Sequence, residues 1–251
     1  MSDDVSRETQ APLAPHSTPE TARGVFSSDR LVLAERYAEL LATEGVVRGL
    51  IGPREAPRLW ERHLLNSAVL AEAIPDGVTV CDIGTGAGLP GLVLAIARPD
   101  LTITLVEPLL RRTTFLVEVV DELGLASVEV VRGRAEVLHG ARTFDIVTSR
   151  AVAPLERLLG WSMPLVAPTG ALVAMKGESV VDEITAAQDF LHMWRCGVPE
   201  VFEVGTGVVD PPTTVVRVEW ADPARVGWPL APTVRRRTTR RGRHGGESKG
   251  A

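Results

Sequence analysis

Short apolar runs follow one another along the chain from about residue 76 onward. Seven of them have the length and composition of strands buried in a sheet; they read VTVCDI, LTITLVE, SVEVV, FDIVTS, ALVAM, VPEVFEV and TTVVRVEW. Helical patterns separate the early runs, which is typical of a parallel sheet covered on both faces. A helix from about Val180 to Leu191 precedes the sixth run, whereas nothing helical separates the last two. The pattern therefore predicts an α/β fold with a seven-stranded sheet that ends in an antiparallel hairpin.

Two amphipathic helices are predicted before this sheet. Ser28 or Asp29 is suited to cap the first, whose apolar residues recur at helical spacing; they are Leu33, Tyr37, Leu40 and Leu41. A break with glycine and proline, GLIGPRE, follows. The second helix, APRLWERHLLNSAVLAEAI, turns its apolar residues inward; they are Trp60, Leu64, Leu65, Ala68 and Val69. We expect residues 28–75 to be the N-terminal helical part of one domain spanning 28–232.

The two ends of the chain differ in composition from this domain. Residues 1–27 begin with an acidic, proline-rich stretch, and we expect a disordered extension there. Residues 233–251 contain seven basic residues against Glu247, so this tail carries +6 and residues 1–232 carry −11 of the net −5. Because the sequence RRRTTRRGRHGGESKG offers no apolar residue to pack, we expect a disordered tail. It either contacts RNA phosphates or is only a solvated end.

Composition excludes several classes of protein. The chain has 251 residues and is 45% hydrophobic, which is enough for a full core. It contains neither an apolar segment of the roughly 20 residues that cross a bilayer nor a signal-peptide core. Cys81 and Cys196 fit neither a disulfide framework nor the spacing of a metal site. We expect a cytoplasmic, metal-free monomer with no membrane partner, and a core position for Cys81.

A glycine-rich loop, CDIGTGAGLPG, follows the first predicted strand and opens a helix that we expect to start near Leu89. Two overlapping frames fit the loop. Gly84-x-Gly86-x-Gly88 is typical of methyltransferases that use S-adenosylmethionine, and Gly86-x-Gly88-x-x-Gly91 satisfies the dinucleotide-binding motif. The loop alone leaves both cofactors open.

Two carboxylates and the sheet pattern separate these cofactors. Glu107 ends the second strand, where it reaches the ribose hydroxyls of either cofactor. Asp82, at the end of the first strand, favours S-adenosylmethionine, because a dinucleotide brings its own anionic pyrophosphate to that place. The antiparallel hairpin also favours a class I methyltransferase fold, a Rossmann-like fold, since dinucleotide domains normally keep six parallel strands.

Six segments of the chain resemble, in order and spacing, the glucose-inhibited division protein B family, the bacterial 16S rRNA guanine-N7 methyltransferases. They are LWERHLLNS, CDIGTGAGLPG, LVEPLLRRTTFL, VVRGRAEVL, FDIVTSRAVAPL and ALVAMKG. The resemblance covers roughly Ser28 to Trp220. It implies S-adenosylmethionine as the cofactor and 16S rRNA as the partner, either naked or within the small subunit or its precursor. The implied product is 7-methylguanosine in the loop near the decoding centre.

The resemblance also implies the residues of a cofactor site. Gly84 and Leu89 match contacts to the methionine and sugar end, while Gly86 and Gly88 shape the loop. Glu107 matches the ribose ligand, and Asp82 joins this set as the acid after the first strand. The remaining members are Ala135 and Glu136, which match the pair bordering the adenine, and Arg150, which matches an arginine of the cofactor pocket. Two of these residues have an alternative role that the sequence leaves open. For Glu136 it is a place in the first turn of a helix, where the helix dipole favours an acid, and for Arg150 it is a surface ion pair.

The candidate catalytic residues are Arg150, Lys176 and His63. Lys176 is the only lysine outside the tail, and it either meets a phosphate or base or extends along the surface. His63, Asn66 and Ser67 share a helix face at i, i+3 and i+4, where His63 either borders the cleft or packs. The family usually has aspartate at the position of Asn66. No general base is expected, because guanine N7 offers a lone pair without a proton.

Two other functions remain open at this stage. The Gly86 frame on its own favours an NAD-dependent oxidoreductase. A protein with the same fold can also bind RNA as an assembly factor without catalysing a reaction.

Overall fold

The computed structural model describes residues 17–227, and one sheet organises them. Its strands are β1 (Thr79–Ile83), β2 (Thr102–Glu107), β3 (Val128–Arg132), β4 (Phe144–Arg150), β5 (Val166–Met175), β6 (Glu200–Val204) and β7 (Thr213–Glu219). The seven strands lie in the order β3-β2-β1-β4-β5-β7-β6. The first five pair in parallel, and β7 runs antiparallel to both β5 and β6. The predicted sheet and its antiparallel end are confirmed.

Eight α-helices occur within the described residues. They are α1 (Ala22–Val25), α2 (Ser28–Leu40), α3 (Asn66–Ala68), α4 (Gly91–Ala97), α5 (Leu110–Glu122), α6 (Leu155–Ser162), α7 (Val180–Ala186) and α8 (Gln188–Met193). Two apolar layers cover the sheet. The N-terminal helices, α4 and α5 pack on one face, and α6 to α8 pack on the other. Cys81 is fully buried in the second layer, as predicted.

The folded region begins before residue 28. Helix α1 lies within the segment predicted to be disordered, and Phe26 after it is buried with its ring edge-on to Trp60, at 6.5 Å between centroids. The apolar contact that Phe26 gains explains this order. Residue Ser27, rather than Ser28 or Asp29, occupies the N-cap position of α2. Residues 1–16 and the predicted tail at 233–251 lie outside the described residues.

The second predicted helix is one irregular helical segment. It passes through a 3₁₀ turn at Ala56–Arg58, π-helical turns at Leu59–Leu65, helix α3 and a 3₁₀ stretch at Val69–Ala73. Its inward residues are buried as predicted; they are Trp60, Leu64, Leu65, Ala68 and Val69. A π-helical turn takes an extra residue compared with an α-helical turn, so it rotates the residues that follow it.

Three predicted boundaries differ from the structure. The helix after the glycine-rich loop begins at Gly91 rather than near Leu89. The helix expected between Val180 and Leu191 is interrupted at Ala187 and forms α7 and α8. Strand β5 starts five residues before the predicted run, and its pairing with β4 shifts register at the start.

Candidate active site

The carboxyl ends of β1, β2, β4 and β5 lie at one edge of the sheet, and two cavities open there. The first, of about 650 Å³, is lined by the glycine-rich loop and by Glu107. The second, of about 1050 Å³, is lined by residues at the ends of β4 and β5 and at the start of β7. Arg150, Ala151 and Val152 line both. Ligands of open α/β sheets bind outside the carboxyl ends of strands, so both cavities are candidate ligand sites. We name the first the cofactor cavity and the second the substrate cavity, after the ligands that we propose for them.

The glycine-rich loop forms one wall of the cofactor cavity. Gly84, Gly86 and Gly88 have φ of 67°, 63° and 105°, which is backbone that other residues rarely adopt. The N–H groups of Gly84 and Thr85 donate to the Val106 carbonyl at 2.8 and 3.2 Å. These bonds hold the loop against the end of β2. Gly84 and Gly86 line the cavity, whereas Gly88 is turned towards the protein interior.

Tyr37 of α2 supports this loop from behind. Its hydroxyl donates to the Ala87 carbonyl at 2.7 Å, and its ring is fully buried. Burial holds the pKa of Tyr37 well above its usual range, so the hydroxyl stays a donor. A Cβ on Gly88 would lie 2.8 Å from the Tyr37 oxygen and would also meet Leu92. Sequence reasoning gave Tyr37 only a packing role, although it is the one tyrosine of the chain.

Asp82 lines neither cavity, so its contact with the cofactor stays a prediction. Its side chain is fully buried beneath the loop, where Oδ2 accepts from Thr85 Oγ1 at 2.6 Å and from the Gly91 N–H at 2.8 Å. Within the described residues, Oδ1 has no hydrogen-bond partner. Burial raises the pKa of Asp82 to about 7. Asp82 therefore fastens the loop to the start of α4.

Glu107 occupies the predicted place at the end of β2 and lines the cofactor cavity. Only 1% of the residue is exposed. Its Oε2 accepts from the Gly86 N–H at 3.1 Å, and Oε1 accepts from the Leu109 N–H at 3.0 Å. Arg112 makes a longer contact to Oε2 at 3.4 Å. A carboxylate offers about four acceptor positions, so Glu107 keeps capacity for hydroxyl donors. The sequence pattern alone does not indicate this contact of Arg112.

The other predicted cofactor residues divide into two groups. Leu89 lines the cofactor cavity and is 5% exposed. Ala135 and Glu136 lie in a 3₁₀ turn after β3 and line neither cavity. Glu136 stands in the first turn of that short helix, which agrees with its alternative role. Their place beside the adenine stays a prediction.

Arg150 stands where the two cavities meet and is hydrogen-bonded to His63. Its Nη2 lies 3.1 Å from His63 Nδ1, and its Nη1 lies 3.4 Å from the Arg62 carbonyl. His63 Nε2 in turn lies 3.1 Å from a carboxylate oxygen of Glu55. Burial lowers the pKa of Arg150. Among residues 17–227 no carboxylate forms an ion pair with Arg150, so this part of the chain gives no support to the alternative of a surface ion pair.

Lys176 lines the substrate cavity, but its ammonium group is engaged by the protein. Nζ donates to Glu183 Oε2 at 2.7 Å and to the Ala153 carbonyl at 2.8 Å, and its side chain is 7% exposed. Burial acts to raise the pKa of Glu183, but the hydrogen bond from Lys176 outweighs it and the pKa is lowered. Glu183 also accepts from the Leu155 N–H at 2.8 Å. Lys176 therefore holds the segment after β4 against α7 rather than extending along the surface, and its contact with RNA stays a prediction.

The predicted shared face of His63, Asn66 and Ser67 does not form. His63 lines the cofactor cavity, whereas Asn66 lines the substrate cavity and donates to Thr213 Oγ1 at 2.8 Å. Ser67 is fully buried. The π-helical turns before Asn66 rotate these residues away from α-helical spacing. Asn66 thus ties the N-terminal helical part to β7.

Two further features concern metals and membranes. In the part of the chain that the structure describes, no group of three or more His, Cys, Asp or Glu could hold a metal ion. No helix between residues 17 and 227 is long and apolar enough to cross a membrane.

Similarity to known proteins agrees with this geometry. The model of the family described as rRNA small subunit methyltransferase G matches residues 30–206. Among curated relatives, the proteins named ribosomal RNA small subunit methyltransferase G come from a Nocardioides species, Salinispora tropica and Streptomyces avermitilis. The first is 67% identical, covering 92% of this chain and 90% of its own. The second is 59% identical and covers 79% of this chain and 85% of its own. The third is 59% identical and covers 80% of this chain and 84% of its own.

The dinucleotide interpretation of the loop has no support from these findings. Gly91, the last glycine of that frame, lies under the loop, where a Cβ would meet Leu105 and Asp82. The antiparallel pairing of β7 with β5 and β6 also departs from an all-parallel dinucleotide sheet. With a class I methyltransferase fold, two cavities that meet at Arg150 and a family match over residues 30–206, the chain belongs to the rRNA small subunit methyltransferase G (glucose-inhibited division protein B) family.

Proposed function

We propose that this protein transfers a methyl group from S-adenosylmethionine to N7 of a guanine in 16S rRNA. The observation that carries the proposal is the meeting of the cofactor and substrate cavities at Arg150, between the ends of β1 and β5. The choice of small-subunit rRNA as the substrate rests on the names of the relatives. The choice of guanine N7, in the loop near the decoding centre, rests on the resemblance of the six sequence segments.

The residues of the cofactor cavity fit S-adenosylmethionine. A volume of about 650 Å³ lies within the usual range for small-molecule sites. The cofactor combines ribose hydroxyls, a sulfonium, an ammonium and a carboxylate. The cavity offers two carboxylates, Glu55 and Glu107, and two guanidinium groups, Arg112 and Arg150. Glu107 is placed to accept from the ribose hydroxyls, and the arginines suit the cofactor's carboxylate.

The reaction requires the protein to align guanine N7 with the methyl group and its sulfur, and it requires no proton transfer. Bound S-adenosylmethionine supplies a methyl group on a positively charged sulfur, and guanine N7 supplies a lone pair that carries no proton. Arg150 suits an acceptor oxygen at the junction of the cavities, such as guanine O6, which leaves N7 free. Holding reactants in line contributes several kcal/mol, up to about 7–11 in well-oriented cases. His63 has no proton to remove in this scheme.

The substrate cavity suits a single nucleotide of a loop. Its volume is about 1050 Å³, and Arg62, Asn66 and Lys176 contribute polar groups to its wall. Proteins that read RNA sequence usually bind unpaired bases in loops, so we propose that the target base enters this cavity from unpaired RNA. We also propose that the protein acts in the cytoplasm as a monomer. Its one catalytic domain spans residues 28–232, and part of the N-terminal extension precedes that domain.

Mass spectrometry of nucleosides from 16S rRNA tests this function. Cells that lack the protein should lose one 7-methylguanosine per 16S rRNA, and expression of the wild-type chain should restore it. The Arg150→Ala variant should fail to restore it while accumulating to the wild-type level. If 7-methylguanosine is unchanged in cells lacking the protein, the protein is not this methyltransferase, and the non-catalytic RNA-binding alternative gains support.

A further inference from the structure

A chain of hydrogen bonds runs from the N-terminal helical part to the end of β4. Arg150 Nη2 contacts His63 Nδ1 at 3.1 Å, and His63 Nε2 contacts Glu55 Oε2 at 3.1 Å. A guanidinium only donates and a carboxylate only accepts. His63 Nδ1 must therefore accept from Arg150, and the ring proton must sit on Nε2 and point at Glu55.

Arg150 depends on this contact. Within residues 17–227, His63 is the one side chain that accepts a hydrogen bond from it, and the other acceptor is the Arg62 carbonyl at 3.4 Å. Ala151 next to it has a φ of 53°, a left-handed conformation that alanine disfavours. The backbone after β4 thus changes direction beside Arg150, and the side chain has no carboxylate partner in the described residues to hold it.

The surroundings of His63 favour its neutral form. Its side chain is 16% exposed. Three charged groups face it, namely Arg150 from the end of β4 and Glu55 and Arg62 from its own helical segment. Burial, followed by the charge of Arg150, lowers the pKa of His63 against the opposing effect of Glu55.

We propose that Glu55 and His63 are positioning residues for methyl transfer, and that neutral His63, with its proton held on Nε2 by Glu55, fixes Arg150 at the junction of the two cavities. This inference rests on the proposed function for its kinetic consequence, but not for its structural one. A protonated His63 presents an N–H to a guanidinium that also only donates, so the bond to Arg150 is lost. Methyl transfer should then fall as the pH drops through the pKa of His63, below 6.5.

Nuclear magnetic resonance on the full chain tests the structural part without any activity. Long-range nitrogen-proton spectra of the histidine rings should show His63 with its proton on Nε2 and with a pKa below 6.5. Arg150→Met should raise that pKa, because it removes a neighbouring positive charge. Glu55→Gln should lower it, because it removes a neighbouring negative charge. A proton on Nδ1, or a pKa that neither substitution moves, would overturn the proposal.

The pH dependence of kcat for rRNA methylation tests the kinetic part. His63→Asn keeps an acceptor near the position of Nδ1 and cannot titrate, so it should retain most of the activity and lose the acidic limb of the profile. At pH values above the acidic limb, His63→Ala should lose about 10-fold or more, since a charged donor is left without its acceptor. Below the pKa of His63 the wild type loses the same bond, so the difference between the two proteins should shrink there. Glu55→Gln should shift the acidic limb to lower pH.

His139→Asn is the matched control. His139 is also half-buried, but its Nε2 contacts the Trp161 carbonyl at 3.0 Å, and it lines neither cavity. This variant should keep the wild-type profile. If His63→Asn also keeps the acidic limb, the role of His63 is wrong although the enzyme methylates. If the wild type transfers no methyl group, the proposed function fails, and the resonance result still decides the hydrogen-bond chain.

Discussion

Replacing Glu107 by glutamine should damage both the loop and the cofactor site. The two carboxylate oxygens accept from different backbone donors, Oε2 from Gly86 and Oε1 from Leu109. An amide has one oxygen, so either orientation turns its NH₂ group towards one of these N–H groups. A buried donor without a partner costs about 1–3 kcal/mol. For a domain of this size, that lowers the melting temperature by about 2–12 °C.

The same substitution should weaken cofactor binding. Hydrogen bonds from ribose hydroxyls to a charged acceptor contribute about 1.5–3 kcal/mol, so the affinity for S-adenosylmethionine should fall about 10- to 100-fold. Isothermal titration calorimetry measures the affinity, and thermal unfolding without ligand measures the loop effect. Glu129→Gln is the control, because Glu129 is exposed on β3 and pairs with Arg142. An affinity within twofold of wild type at an unchanged melting temperature would refute the role of Glu107.

Three further predictions follow from residues outside the cavities. Tyr37→Phe removes the donor to the buried Ala87 carbonyl, so thermal unfolding should show a loss of about 1–3 kcal/mol and calorimetry a weaker cofactor affinity; equal values for both proteins would contradict this support of the loop. Asp82 has a folded pKa of about 7 against an unfolded value of 3.8, so the folded state binds the extra proton and its stability falls as pH rises from about 4 to 7. In Asp82→Asn, the free energy of unfolding should fall less between these pH values, by at most roughly 4 kcal/mol less than in wild type, as measured by denaturant unfolding. If the free energy of unfolding changes with pH in the same way in both proteins, Asp82 does not titrate in this range. Deleting 233–251 should reduce the slope of log RNA affinity against log salt by about 2–3.5 units if the tail makes about three to five phosphate contacts, while an identical slope would show a tail without RNA contacts.

The sequence predicted the parts of the fold that depend on local pattern. Apolar runs separated by helices indicated the parallel strands, and the missing helix before β7 indicated its antiparallel pairing. The place of Glu107 followed for the same reason, because the end of an apolar run marks the end of a strand. The glycine loop was predictable too, since its positive φ angles require glycine at Gly84, Gly86 and Gly88.

The parts that depend on which side chains meet after folding were not predictable. The sequence allows Lys176 either to meet a phosphate or base or to extend along the surface, but Glu183, seven residues later, takes its ammonium group. Asp82 was expected to face the cofactor, but Thr85 and Gly91 fold over it. The helix with His63 was expected to be α-helical, but Leu59–Leu65 form π-helical turns, which are rare. For Lys176 and Asp82, hydrogen bonds that form only in the folded loop and helix arrangement decide where the polar side chain points.

Methyl transfer in a purified system tests the central claim most directly. The wild-type chain, S-adenosylmethionine with a labelled methyl group, and small-subunit rRNA that lacks modification would be incubated together, and the product digested to nucleosides for mass spectrometry. We expect one labelled methyl group per rRNA, recovered as 7-methylguanosine, and none with the Arg150→Ala variant. Recovery of the label on another atom or base, or no transfer to free rRNA, small subunits or their precursors, would contradict the account.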